Sequence, residues 1–426
     1  MNRAAPTTRA WLIVGLLWLV ACLNYLDRLM LTTMREPVIH SIAMTEAQFG
    51  LLTSVFLWVY GLLSPFAGFF ADRFGRSRVI IGSLLVWSAI TWLTGHVHTF
   101  EQLLFARALM GVSEACYIPA ALALIADYHR GSTRSLATGL HISGVYAGAA
   151  LGGFGGVIAE HFAWQTAFTV FGLFGIGYAL VVAFWIRDAP SAAPATADSR
   201  PERPITPVAT LRALFRQPAF YLLLLLNSLV GVANWGINGW LPTFLREKFH
   251  LGLGEAGLSA TGYIQAASFI GVIVGGAWAD WWSRTNPRGR AFVPAIGYLV
   301  AGPCLFLAAG ADALPATIAG LIIFGLARGF FDSNLMPVLR HVADERYSAT
   351  GYGFLNFISC ATGGALIYGA GLLRDAHVDL RHVFQFSAAG LLVTGLLLLF
   401  VKAGRPSQQH ELPIPCSAVT VPRNGR

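Results

Sequence analysis

An α-helix needs about 20 apolar residues to cross the hydrocarbon core of a bilayer, and this chain supplies such runs twelve times. They lie at residues 11–34, 47–71, 79–95, 101–126, 136–158, 165–186, 219–244, 255–279, 292–310, 316–339, 349–372 and 383–401. In lipid, backbone N–H and C=O groups must be bonded internally, so runs of this length read as membrane-crossing helices. Composition leaves no soluble alternative: 55% of the 426 residues are apolar and 12% charged, where soluble domains carry roughly 25% charge. The expected fold class is an all-α membrane protein with twelve transmembrane helices.

Basic loops stay in the cytoplasm. Alternation of the spans gathers Arg3, Arg9, Arg73, Arg76, Arg78, Arg130, Arg134, Arg284, Arg288, Arg290, Arg340, Arg346 and Lys402 on one face, with the arginines between spans six and seven. Arg35, Arg246, Lys248, Arg374 and Arg381 fall on the other. Both termini are therefore expected inside. The net charge of +8 follows from this topology and from contact with membrane lipids, so no nucleic-acid partner is expected. Leu19-Val20-Ala21-Cys22 resembles a lipoprotein cleavage box, yet the apolar run continues through Met34, which marks an uncleaved helix. Cys22, Cys116, Cys304, Cys360 and Cys416 are scattered and suggest neither a disulfide framework nor a metal site.

The chain repeats itself. Gly68-Phe69-Phe70-Ala71-Asp72 closes span two and Gly276-Ala277-Trp278-Ala279-Asp280 closes span eight, each before a basic loop. Ala106-Arg107, Pro119 and Ala126-Asp127 around span four recur as Ala327-Arg328, Pro337 and Ala343-Asp344 around span ten. Duplication of a six-helix unit is the simplest account. The expected domains are an N-terminal bundle over 1–187, a cytoplasmic linker over 188–217, a C-terminal bundle over 218–404 and a disordered tail over 405–426. Within the linker, Leu211 to Arg216 fits either a short amphipathic helix on the inner leaflet or a solvated lead-in to span seven.

Four ionised residues stand deep inside spans one and four: Asp27, Arg28, Arg107 and Glu114. A charge at the bilayer centre costs roughly 2.5–3.5 kcal/mol and persists mainly where an ion, a proton or a charged substrate is handled. Arg107 and Glu114 share a helix face about 10 Å apart along the axis, too far to pair, and Asp27-Arg28 is the natural third party. Arginine presents a planar, permanently charged fork to carboxylates, which makes Arg28 the first candidate for an anion and Arg107 the second. Desolvation opposes ionisation of a buried acid and a neighbouring arginine favours it, so Asp27 and Glu114 are candidate proton carriers. Tyr25 is a further binding candidate as a polar aromatic group deep in a span, and so are Asn238 and Asn356, because an unpaired amide in hydrocarbon is costly. Arg328 and Asp332 at i,i+4 can neutralise each other, with Asn334 beside them. Glycines 144, 148, 152, 153, 155 and 156 mark span five for close helix contact.

Gly68-Phe69-Phe70-Ala71-Asp72-Arg73-Phe74-Gly75-Arg76-Ser77-Arg78 resembles the G-x-x-x-D-R-x-G-R-[RK] loop of the major facilitator superfamily, departing only at Ser77. Arg107-Ala108-Leu109-Met110-Gly111-Val112-Ser113 is similar to its R-x-x-x-G-x-G pattern, with Ser113 in place of the last glycine. The resemblance covers essentially the whole chain. It implies the major facilitator fold of two pseudo-symmetric six-helix bundles, with a gating motif on Gly68, Asp72, Arg73, Gly75 and Arg76. Asn24-Tyr25-Leu26-Asp27-Arg28 together with Arg107 to Ala115 looks like two branches of that superfamily. One is the anion:cation symporters, which carry sugar acids and other organic carboxylates with protons; the other is the spinster-type lipid transporters. Trp240 to Leu245 and Pro119 lean to the first, Ala71-Asp72-Arg73 and Leu124 to Asp127 to the second.

Span five lacks the Gly-Pro pattern of antiporters, which favours symport. There is no phosphate-cradling loop, zinc-spaced cluster or nucleophile elbow, so an enzyme is not expected. The expectation is a proton-coupled symporter of a small organic anion, with lysolipid transport or proton-coupled export as alternatives. The proton is the coupling ion, no cofactor is needed, and a monomer in a bacterial inner membrane is expected.

Overall fold

A computed structural model describes residues 8–129, 133–189, 207–342 and 348–401. Arg3, Arg130, Asp344, Arg346, Lys402, linker residues 190–206 and the tail 405–426 lie outside the described residues, as do the side chains of Gly68 and Asp72. Twelve described helices are long and apolar enough to cross a membrane. Spans one to six are Thr8–Thr33, Glu46–Ala67, Arg76–Thr94, Phe100–Tyr128, Arg134–His161 and Trp164–Trp185. Spans seven to twelve are Pro218–Phe249, Leu253–Ser283, Gly289–Gly310, Leu314–Arg340, Thr350–Asp375 and Leu380–Leu398. All twelve coincide with the runs read from sequence. Twelve crossings bring residues 8 and 401 to one face, here called the terminal face; the other is the distal face.

Two spans are broken where a single helix was expected. Span four stops at Glu114 and resumes at Tyr117, because Pro119 has no N–H to donate to the carbonyl of Ala115. Span five is interrupted at Gly152-Gly153, where Gly153 and Gly155 donate to carbonyls only three residues back. The segment before span seven is a helix over Pro207–Phe215. Leu214 is buried and Phe215 packs edge-on to Phe220 and Phe354, so it docks on spans seven and eleven.

Close helix contacts repeat between the halves. A Cβ on Gly148 would overlap the Cys22 carbonyl, and one on Gly144 the Trp18 carbonyl, so small residues set the distance between spans one and five. Gly231 against Ser359 does the same for spans seven and eleven. Spans three and six meet at Gly172 and Trp92, spans nine and twelve at Gly395 and Leu299. Spans two and four meet at Phe56 and Gly111, spans eight and ten at Ser268 and Gly329. These are the same contacts shifted by six spans, as a duplicated six-helix unit requires. Between the halves, span two lies along span eleven through Gly50 and Gly61, and span five meets span eight through Gly153 and Gly156.

At the distal face, ion pairs join the two halves. Arg35 reaches Glu247 at 3.4 Å and Arg374 reaches Glu46 at 3.3 Å. Arg246 pairs with Glu36. Asp375 accepts from the first backbone N–H groups of span two, Glu46 at 2.9 Å and Ala47 at 3.0 Å, where the helix dipole favours an anion. A cavity of about 530 Å³ sits among these groups, lined by Arg35, Glu36, Arg246 and Glu247.

Candidate functional site

The central charges meet across two spans. Span one carries Arg28 into the bundle, where its Nε donates to Glu114 Oε2 at 2.6 Å. Both side chains are sealed off, 2% and 0% exposed. The guanidinium carbon lies 4.2 Å from the Tyr60 ring centre, 4.6 Å from Tyr25 and 5.2 Å from Phe56. Cation–π contacts of this kind reach about 2 kcal/mol when desolvated. Both Nη groups of Arg28 are buried and meet no hydrogen-bond acceptor among the described residues. Glu114 is the last residue before the break in span four, so the bend sets the height at which the pair forms.

Arg107 and Asp27 sit apart from that pair. Arg107 is wholly enclosed, donating from Nε to the Leu52 carbonyl at 3.4 Å and from Nη1 to Met110 Sδ at 3.1 Å, with the Phe56 ring 4.8 Å away. As expected from spacing, it makes no salt bridge to Glu114. Asp27 points toward span three and accepts from Thr91 Oγ1 at 3.0 Å, while its Oδ1 has no partner among the described residues. Thr91 was not singled out in the sequence, since a threonine in an apolar run carries no signal of its own.

The other amides fall elsewhere. Asn238 belongs to a chain inside the C-terminal half: it donates to the Asn234 carbonyl at 2.7 Å and accepts from Gln265 Nε2 at 3.3 Å. Asn356 donates to Ser64 Oγ at 2.9 Å across the contact of spans eleven and two, so its amide holds the two halves together beside Tyr60. Asn334 donates to the Phe330 carbonyl of its own helix at 2.9 Å.

On the terminal face, Gly75 turns the chain at φ +89°, a conformation that favours glycine. Arg76 pairs with Asp127 and donates to the Ala123 carbonyl at 3.1 Å; Arg73 is exposed. Asp188, read from sequence as the first linker residue, accepts from the Ser77 backbone N–H at 2.8 Å. It thereby caps span three from the far end of the N-terminal half. In the C-terminal half the echoed motif is tied differently, with Arg290 donating to Asp280 at 3.0 Å.

A sequence model of the Major Facilitator Superfamily matches residues 17–368. The chain belongs to that superfamily. It is 27% identical over 380 residues to an MFS-type efflux pump of Mycolicibacterium smegmatis, covering 87% of this chain and 86% of the pump. It is 28% identical over 425 residues to the 3-(3-hydroxy-phenyl)propionate transporter of Escherichia coli, covering 97% and 98%. The crystal structure of a bacterial homolog to the human lysosomal transporter spinster, inward-facing and unoccupied, superposes with a TM-score of 0.76 at 21% identity. That match covers 93% of this chain and 96% of the other, and it supports the fold alone. As a member of the Major Facilitator Superfamily the protein is an integral multi-pass membrane transporter and not an enzyme.

Proposed function

We propose that this facilitator is a proton-coupled symporter of a small organic anion. The observation that carries the reading is the Arg28–Glu114 pair, a buried cation with one anionic partner and two Nη groups left over. When Glu114 takes a proton, Arg28 keeps its charge and loses its counter-ion, and a substrate carboxylate replaces it with bidentate geometry. Arg107, enclosed between spans two and four, balances the acids without touching substrate. Asp27, held by Thr91, is the second proton site. The halves then rock about the site, and each proton descending 100 mV supplies roughly 2.3 kcal/mol.

With the termini in the cytoplasm of a bacterium, the ion pairs of the distal face shut the outer entrance of a monomer. Similarity to a transporter of an aromatic acid supports uptake of a carboxylate. Similarity to an efflux pump supports proton-coupled export as the second reading, in which substrate and proton move in opposite directions, and direction separates the two.

The test is uptake by purified protein in liposomes under imposed pH gradients, against sugar acids, monocarboxylates and lysolipids. Accumulation of a carboxylate that collapses with the gradient is expected. Indifference to pH across the whole panel removes the symport reading.

A further inference from the structure

The C-terminal half holds mid-span charge that the coupling scheme leaves unused. Arg328 Nε and Asp332 Oδ2 lie 3.5 Å apart on adjacent turns of span ten, and the Asp332 side chain is 38% exposed although it sits well inside the span. Tyr146 of span five donates to Asp332 Oδ2 at 3.1 Å, so the space Asp332 faces lies between the halves and not toward lipid. Gln265 accepts from Arg328 Nη1 at 3.4 Å and continues to Asn238. Aromatic rings stand against both clusters: Tyr25 and Tyr60 rest on Arg28, and the Tyr146 ring centre lies 5.9 Å from the Arg328 guanidinium carbon.

Charge balance then limits what fits. When ionised, Asp27, Arg28, Arg107 and Glu114 sum to zero, so one proton on Glu114 leaves a single positive charge, enough for one carboxylate. Arg328 and Asp332 also sum to zero, and they offer a donor beside an acceptor. A hydroxyl donates to Asp332 while accepting from Arg328; a second carboxylate would meet the Asp332 charge. The rings at both ends favour a flat apolar body. We propose that Arg328, Asp332 and Gln265 form the second pole of the substrate site, and that the substrate is an aromatic monocarboxylate with a hydroxyl at the end remote from its carboxylate. The proposal rests on Arg28 as the carboxylate site.

The test compares phenylacetate, para-hydroxyphenylacetate and para-carboxyphenylacetate as substrates of the full-length protein in liposomes. The hydroxylated acid is expected to show a KM about tenfold below that of phenylacetate, the size of one hydrogen bond to a charged group, and the dicarboxylate is expected to be excluded. Asp332→Asn leaves Arg328 uncompensated, so it narrows the hydroxyl preference to within about threefold and admits the dicarboxylate. Tyr146→Phe removes the hydroxyl that competes for Asp332 and widens the preference, which keeps the idea open to refutation if Asp332→Asn does not insert. Equal KM values for the two monocarboxylates in wild type, or an unaltered preference and exclusion in Asp332→Asn, overturn the second pole and leave Arg28 standing. Failure to transport any of the three acids overturns the aromatic substrate, and failure of sugar acids and other monocarboxylates as well overturns the carboxylate reading itself.

Discussion

The two halves carry their central charges in opposite ways. In the N-terminal half the pair joins two spans, Arg28 to Glu114, with side-chain exposures of 2% and 0%. In the C-terminal half the pair lies within one helix, Arg328 to Asp332, with exposures of 12% and 38%, and a chain of neutral side chains extends it. A dry interhelical pair is sensitive to protonation, because losing one charge leaves the other without compensation. A wetted intrahelical pair is close to self-sufficient and can trade partners. The difference separates coupling from recognition.

Arg28→Met should have the largest effect. It strands Glu114 in the interior, and breaking a buried pair from one side costs about 3–5 kcal/mol. A clear fall in thermal unfolding temperature with total loss of uptake is expected. Arg28→Met combined with Glu114→Leu should recover the stability and not the transport, since an apolar replacement of both partners is often neutral. Equal stability of the single and double variants would break the contrast with span ten.

Glu114→Gln comes next. Accumulation against a gradient should vanish while exchange of labelled for unlabelled substrate continues and becomes independent of pH. Accumulation at the wild-type level in that variant would move coupling to Asp27. Arg328→Gln should act on recognition alone, raising KM about tenfold while the accumulation ratio at saturating substrate still follows the proton gradient. A lost gradient response there would erase the division between the halves.

The smallest effect belongs to the distal face. Glu36→Gln removes one partly exposed pair with Arg246, worth about 0.5 kcal/mol or roughly a twofold shift toward an open distal face. Labelling of a cysteine placed in the distal cavity, compared with wild type, measures it. A shift far beyond twofold would mean that the surface network and not the buried pair dominates the conformational balance.

Much of this was legible in residues of known spacing. Asp27, Arg28, Arg107 and Glu114 stood out because charge in an apolar run is expensive, and the glycines of span five stood out as a cluster that permits close helix contact. Asp188 and Thr91 did not stand out, since one reads as linker and the other as a helix filler, and each acquires meaning from a partner 111 and 64 residues away. The distal network was equally silent: Arg35 and Glu247 lie 212 residues apart, and each alone is an ordinary charge at a helix end.

By itself, then, the sequence determined twelve helices, their duplication and the depth of each charge, because hydropathy and helical period are local properties that a bilayer enforces along each segment. The tertiary structure decided partnership: Arg28 with Glu114, Tyr146 with Asp332 and Asn356 with Ser64. Which face of one helix meets which face of another depends on rotation, tilt and the break after Glu114. Those are set by packing between distant segments and leave no periodic trace in either one.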